Sequence, residues 1–163
     1  MSSDHEEFVA LVDAHGSALL ATLRRLCGNS HDADDLFQET AVRVWRSFGG
    51  RPLLRSPRAW LITIGYRAFL DGRQRGARST TDQFGDFIDY RVRSPGDQIE
   101  QAESFFRLHE QIDQLPLDTR EVIVLHYMGG LTIRQTATAM GLSLAITKNR
   151  LHSALKELRS ALE

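Results

Sequence analysis

The sequence predicts an all-α protein built as two small helical domains joined by a linker. Two observations carry that reading. Apolar residues recur at i, i+3, i+4 along most of the chain, the period of an amphipathic helix. Between Gly76 and about Gln101 that period dissolves into turn chemistry, with Ser79-Thr80-Thr81, Gly85 and Ser94-Pro95-Gly96-Asp97 among scattered acids. The boundaries follow as residues 1–78, a linker over 79–104, and residues 105–163. A chain of 163 residues, 42% hydrophobic and 25% charged, is ordinary for a folded protein of this plan.

Phe8, Leu11, Val12, His15, Leu19, Leu23 and Leu26 share one stripe, which predicts a helix over residues 6–27. His15 is read as a packed or half-exposed histidine, because no second ligand sits at a metal-like spacing. Gly28-Asn29-Ser30 breaks this helix. Ala33, Leu36, Phe37, Thr40, Ala41, Val44, Trp45 and Phe48 form the next stripe without a gap. Asp32, Asp34 and Asp35 crowd its first turn, where carboxylates suit the positive end of the helix dipole. Asp34 and Asp35, with Gln38, Glu39 and Val42, also make an acidic outer face fit to meet a basic partner.

Ser56-Pro57 supplies an N-cap and a proline at the first helical position. The helix from Pro57 to about Arg73 is apolar nearly all round: Trp60, Leu61, Ile62, Ile64, Tyr66, Ala68, Phe69 and Leu70. Arg58, Arg67, Arg73, Arg75 and Arg78 are interleaved with them. Two readings stay open for this helix. Unpaired bases stack on such rings while guanidinium groups hold phosphates; equally, a central core helix lets its arginines snorkel. Within the linker, Phe84, Phe87, Ile88 and Tyr90 are apolar enough to pack on something. Helical spacing resumes at Phe105, Leu108, Ile112 and Leu115. Pro116 then opens a helix with Val122, Leu125 and Tyr127 facing inward, and Gly129-Gly130 ends it.

The last stretch reads as helix, turn, helix. Leu131 to Met140 is a short helix closed by Gly141, which can take the left-handed conformation. Ser143 caps a second helix from Leu144 to Leu162, with Leu144, Leu151, Leu155, Leu158 and Leu162 on one face. Lys148, Asn149, His152, Lys156 and Arg159 project from the other. A glycine turn followed by a helix with a basic outer face is how a recognition helix is offered to a DNA major groove.

Charge is zoned. Residues 1–50 hold four arginines against eight acids, residues 51–78 seven arginines against one acid, and residues 79–103 two against six. Residues 104–127 hold two against four, and residues 128–163 five basic residues against two acids, for a net charge of −1. Two basic zones set among acidic ones fit two nucleic-acid contacts on one chain. Cys27 is the sole cysteine, read as a small apolar filler, so a disulfide framework and a cysteine-rich metal site are excluded. With no membrane span, signal peptide, phosphate-binding loop or nucleophile elbow in view, the expectation is a cytoplasmic protein that is not an enzyme and needs no cofactor or metal. A stand-alone helix-turn-helix regulator and an all-helical interaction protein both remain compatible with these features.

The order of these motifs resembles the extracytoplasmic-function (ECF, group 4) sigma factors of the sigma-70 family, over nearly the whole chain. Asp32-Ala33-Asp34-Asp35-Leu36-Phe37-Gln38-Glu39-Thr40, with Val44-Trp45 and Phe48, resembles the segment that binds the polymerase clamp helices. Trp60-Leu61-Ile62-Thr63-Ile64 with Asp71 and Arg73 resembles the region that melts and reads the −10 element. Leu115-Pro116, Arg120-Glu121-Val122 and Leu125 resemble the opening of the second domain, and Lys148, Arg150 and Leu151 the −35 recognition helix. The resemblance implies a region 2-like and a region 4-like domain, with core RNA polymerase, promoter DNA and an anti-sigma factor as partners. It implies polymerase contacts at Asp34, Asp35, Gln38 and Glu39. It further implies −10 contacts at Trp60, Tyr66, Arg67 and Arg73, and −35 contacts at Arg134, Lys148, Asn149, Arg150 and His152. The sequence departs from the family at Ala145-Ile146-Thr147, where Gly-Thr-Val is usual, at Asn149 for Ser, and at His152-Ser153, where Arg-Ala is nearer the norm, so the −35 motif of a relative does not carry over. In the promoter-melting helix it departs at Arg67, where Asn is common.

Overall fold

A computed structural model describes residues 2–52, 55–75 and 98–163; the expected packing of Phe84, Phe87, Ile88 and Tyr90, and Arg78, lie outside the described residues. Helix α1 spans Ser2–Cys27, α2 Ser30–Ser47 and α3 Pro57–Gln74, with a 3-10 turn at Phe48–Gly50. Their ends follow local chemistry. Gly28 takes φ 77° and re-aims the chain. The Asn29 side chain accepts from the Asp32 amide at 2.8 Å, and Ser56 Oγ from the Ala59 amide at 3.2 Å. The three helices bury Leu19, Leu23, Leu36, Val44, Leu61 and Ala68 between them. Close approach requires Gly65 on α3, where a Cβ would stand 2.6 Å from Leu19 Cδ1. Buried Thr22 and Thr40 donate to the carbonyls one turn back, at 2.8 and 2.7 Å, which satisfies both hydroxyls inside the core.

The second group comprises α4 (Gln98–Gln114), α5 (Leu117–Ile123), a π-helical turn (Val124–Met128), α6 (Ile133–Met140) and α7 (Leu144–Leu162). Helix α4 therefore begins inside the stretch expected to be linker. Helix α6 carries a full capping box: Gln135 N donates to Thr132 Oγ1 at 3.0 Å, and Thr132 N to Gln135 Oε1 at 2.8 Å. Gly141 closes it at φ 67°, and Ser143 caps α7 by accepting from Ile146 N at 3.2 Å. Thr147 is buried and donates to Ser143 O at 2.9 Å, and the side of α7 that packs inward runs through Thr147, Ala154 and Leu158.

Three expectations on facing are corrected. Tyr127 is 57% exposed rather than inward, because two residues beyond Leu125 is about 200° round a helix, away from the side that Val122 and Leu125 bury. Trp45 stands at the edge of its stripe, half exposed, with its ring against Phe8 and His5. Leu162, on the last turn of α7, is exposed.

The two groups are not held apart. One continuous apolar cluster includes Leu36 and Ile62 from the first and Val124, Leu131 and Leu158 from the second. Helix α1 packs on the π-helical turn and α3 on α6. Of the two readings left open for α3, burial of Leu61, Ile62, Tyr66, Ala68 and Phe69 matches the core helix in this arrangement.

Candidate polymerase and nucleic-acid interfaces

The acidic face of α2 is exposed at Asp34, Asp35 and Gln38, which fall three and four residues apart and so share one side of the helix. Val42 extends that side as an exposed apolar residue. Glu39 lies apart from them in its bonding. Half-buried, it accepts from Arg43 at 2.7 Å, and Arg43 also reaches Asp71 on α3 at 2.7 Å. Arg43 thus ties α2 to α3, and its pKa is raised by the Asp71 contact first, offset by burial, with Glu39 adding to the rise.

On α7, Lys148, Asn149 and His152 are exposed on one face, again three and four residues apart. Arg134 is exposed on α6, which packs against α7. Arg150 points elsewhere. Two residues beyond Lys148 is about 200° round a helix, and Arg150 lies half-buried, near enough to Tyr66 of α3 to influence its titration. Ile146 is exposed at the start of this helix.

The α3 candidates split into two pairs. Trp60 and Arg67 are seven residues apart and share a face: Trp60 is half-buried with its ring tilted on Phe48 at 6.3 Å, and Arg67 is exposed. Tyr66 and Arg73, also seven apart, face the second group and converge on one carboxylate. Tyr66, only 3% exposed, donates its hydroxyl to Glu121 Oε2 at 2.8 Å. Arg73 donates to Glu121 Oε1 at 2.8 Å and lies over the Phe69 ring at 5.3 Å. Burial, then the neighbouring Glu121 charge, pushes the Tyr66 phenol well above its usual range, so it stays a donor.

Glu121, itself 3% exposed, was given no role by the sequence reading. Its signal was there: an acid followed at once by Val122-Ile123-Val124-Leu125 is a charge that burial obliges to find partners. Two further contacts join the groups. Arg58 donates to Met128 O at 3.0 Å and Gly129 O at 2.9 Å, and Arg25 bridges to Asp113 at 2.6 Å. Gly130, at φ 74°, leaves space for the Arg58 head, which a Cβ there would meet at 2.9 Å. Among the described residues, no group of three or more His, Cys, Asp or Glu side chains is placed to hold a metal ion, and no helix is long and apolar enough to cross a membrane.

The family model for sigma-70 region 2 matches residues 11–79, and that for sigma-70 region 4 matches residues 105–158. The ECF RNA polymerase sigma factor SigL of Mycobacterium tuberculosis is 32% identical over 161 residues, covering 94% of this chain and 88% of that protein. Among solved structures, CnrH in complex with the cytosolic domain of CnrY is 26% identical with a TM-score of 0.66, covering 97% of this chain and 88% of that one. The sigma factor RpoE from Bartonella quintana, solved with the anti-sigma factor NepR, shares the fold at a TM-score of 0.70 and 22% identity, covering 99% and 98%. With region 2 and region 4 in one chain and a relative of this identity matched along nearly its whole length, the protein belongs to the ECF RNA polymerase sigma factors.

Proposed function

We propose a division of labour between named surfaces of this sigma factor, within the promoter-directed initiation that its family performs. The first domain (residues 1–78) docks on core RNA polymerase through Asp34, Asp35, Gln38 and Glu39. Trp60, Tyr66, Arg67 and Arg73 hold the opened −10 strand. The second domain (residues 105–163), beyond a linker at 79–104, sets Lys148, Asn149 and His152 in the −35 major groove, with Arg134 and Arg150 on phosphates. The observation that carries the reading is the pairing, in one chain, of an exposed acidic face on α2 with an exposed basic face on α7. Acidic residues repel DNA phosphates and suit a protein partner, whereas Lys148 and its neighbours suit a groove. Chemistry is left to the polymerase. A cytoplasmic location and an anti-sigma partner belong to the same reading; the CnrH relative was solved with a protein partner, the cytosolic domain of CnrY.

Reconstituted transcription with core polymerase tests it. Promoter-dependent initiation on genomic fragments is expected. Loss of polymerase binding should follow from Asp34→Arg with Asp35→Arg, and loss of promoter choice with intact polymerase binding from Lys148→Ala with Asn149→Ala. Initiation on no template would overturn the reading.

A further inference from the structure

We propose that Glu121 is an internal stand-in for nucleic-acid phosphate, and that it holds the chain in a self-masked state in which promoter strand and carboxylate compete for the same two side chains. The proposal rests on the reading of Tyr66 and Arg73 as strand-binding residues. A phenol and a guanidinium converging on one anion is the arrangement a phosphate oxygen would require, and here a carboxylate from the other domain fills it, at 2.8 Å on each oxygen. The contact is sealed from water on the carboxylate side: in the Arg73–Glu121 pair the side chains are 42% and 4% exposed. No DNA strand can reach the Tyr66 hydroxyl while Glu121 occupies it. The masking is supported elsewhere on the interface by Arg58 on the Met128 and Gly129 carbonyls and by Arg25 on Asp113. The candidate −35 face stays exposed in the same state, so only the −10 half of the reader is withheld.

Competition makes the effect quantitative. A strand that needs the open state binds more weakly in proportion to how seldom that state is populated. A hydrogen bond to a charged group is worth enough that removing one shifts such an equilibrium about tenfold. Opening and strand binding are also reciprocally linked.

The test uses the full chain, small-angle scattering for the separation of the domains, and a short fluorescent single-stranded DNA of mixed sequence as probe. Glu121→Gln, Arg58→Ala and Asp113→Asn should each raise the radius of gyration and tighten the probe about tenfold, and the double variant Glu121→Gln with Arg58→Ala should do so by more. Saturating probe should expand the wild-type chain. Far-UV circular dichroism identifies any variant that fails to fold, and the remaining ones carry the test. Unchanged dimensions together with unchanged probe affinity in the folded variants would overturn the proposal. So would expansion with unchanged affinity, which would mean that the interface hides nothing the strand needs. Wild-type initiation in the reconstituted assay is a separate readout, so failure of masking and failure of the sigma-factor reading are told apart.

Discussion

The candidate −35 face and the candidate −10 face are built on opposite principles. Lys148, Asn149 and His152 stand on the solvent side of α7, and the core is closed behind them by Thr147, Ala154 and Leu158. Tyr66 belongs to the core itself, with Arg73 drawn onto Glu121 at its margin. A face that stands on a core can be altered without cost to the fold. A face that is part of the core trades every change in recognition against stability.

That contrast is breakable. The largest effect is expected at Tyr66→Ala, which removes a buried ring and leaves Glu121 Oε2 without its donor while Arg73 keeps Oε1: a loss of about 3–5 kcal/mol in denaturant unfolding. A loss under about 1 kcal/mol would place Tyr66 outside the core it shares with the second domain.

Next comes a pH effect at the interface. Burial, and then the nearby Arg25 charge, lower the pKa of His109 from 6.5 to about 4. Since the unfolded chain takes up this proton first, the stability from keeping His109 neutral is complete above pH 6.5 and is lost as pH falls from 6.5 towards 4. The loss is on the order of 2–3 kcal/mol. Asp113, whose carboxyl burial pushes up against the opposing pull of Arg25, contributes with the opposite sign, adding stability as it takes up its proton. The clean measurement is therefore the difference between wild type and His109→Gln across that window, and equal pH slopes for the two would refute the assignment. Ser143→Ala, removing the cap of α7, should cost about 1 kcal/mol, read as a shift in urea midpoint. Lys148→Ala should be the smallest, within about 0.5 kcal/mol in stability. It should nevertheless weaken promoter binding by about 1–3 kcal/mol and relax discrimination at the base pair it faces.

The same contrast explains what the sequence could disclose. Helix ends were legible because they are local: Ser56-Pro57, Gly141 and Ser143 act on residues within a turn. The exposed faces on α2 and α7 were legible because period alone separates them from the stripe beneath. Glu121 meeting Tyr66 was not, since that bond spans 55 residues and depends on how two domains settle together. Arg150, which the family resemblance sets on phosphate apart from Lys148 in the groove, lies half-buried near Tyr66, a placement that depends on how the two domains pack. Tyr127 follows the face opposite Val122 and Leu125, since two residues beyond Leu125 is about 200° round a helix, and helical period alone places it outward.

The most direct measurement is permanganate reactivity of unpaired thymines at a cognate promoter, together with protection of the upstream half of the site, using holoenzyme reconstituted with paired variants. Trp60→Ala with Arg67→Ala lies on α3 but outside the Tyr66–Glu121 contact; Lys148→Ala with Asn149→Ala lies on α7. The expected result is that the α3 pair keeps upstream protection and loses thymine reactivity, whereas the α7 pair loses upstream protection and regains reactivity when the promoter is supplied with its −10 region already unpaired. Identical defects from the two pairs would contradict the division of labour between the two faces.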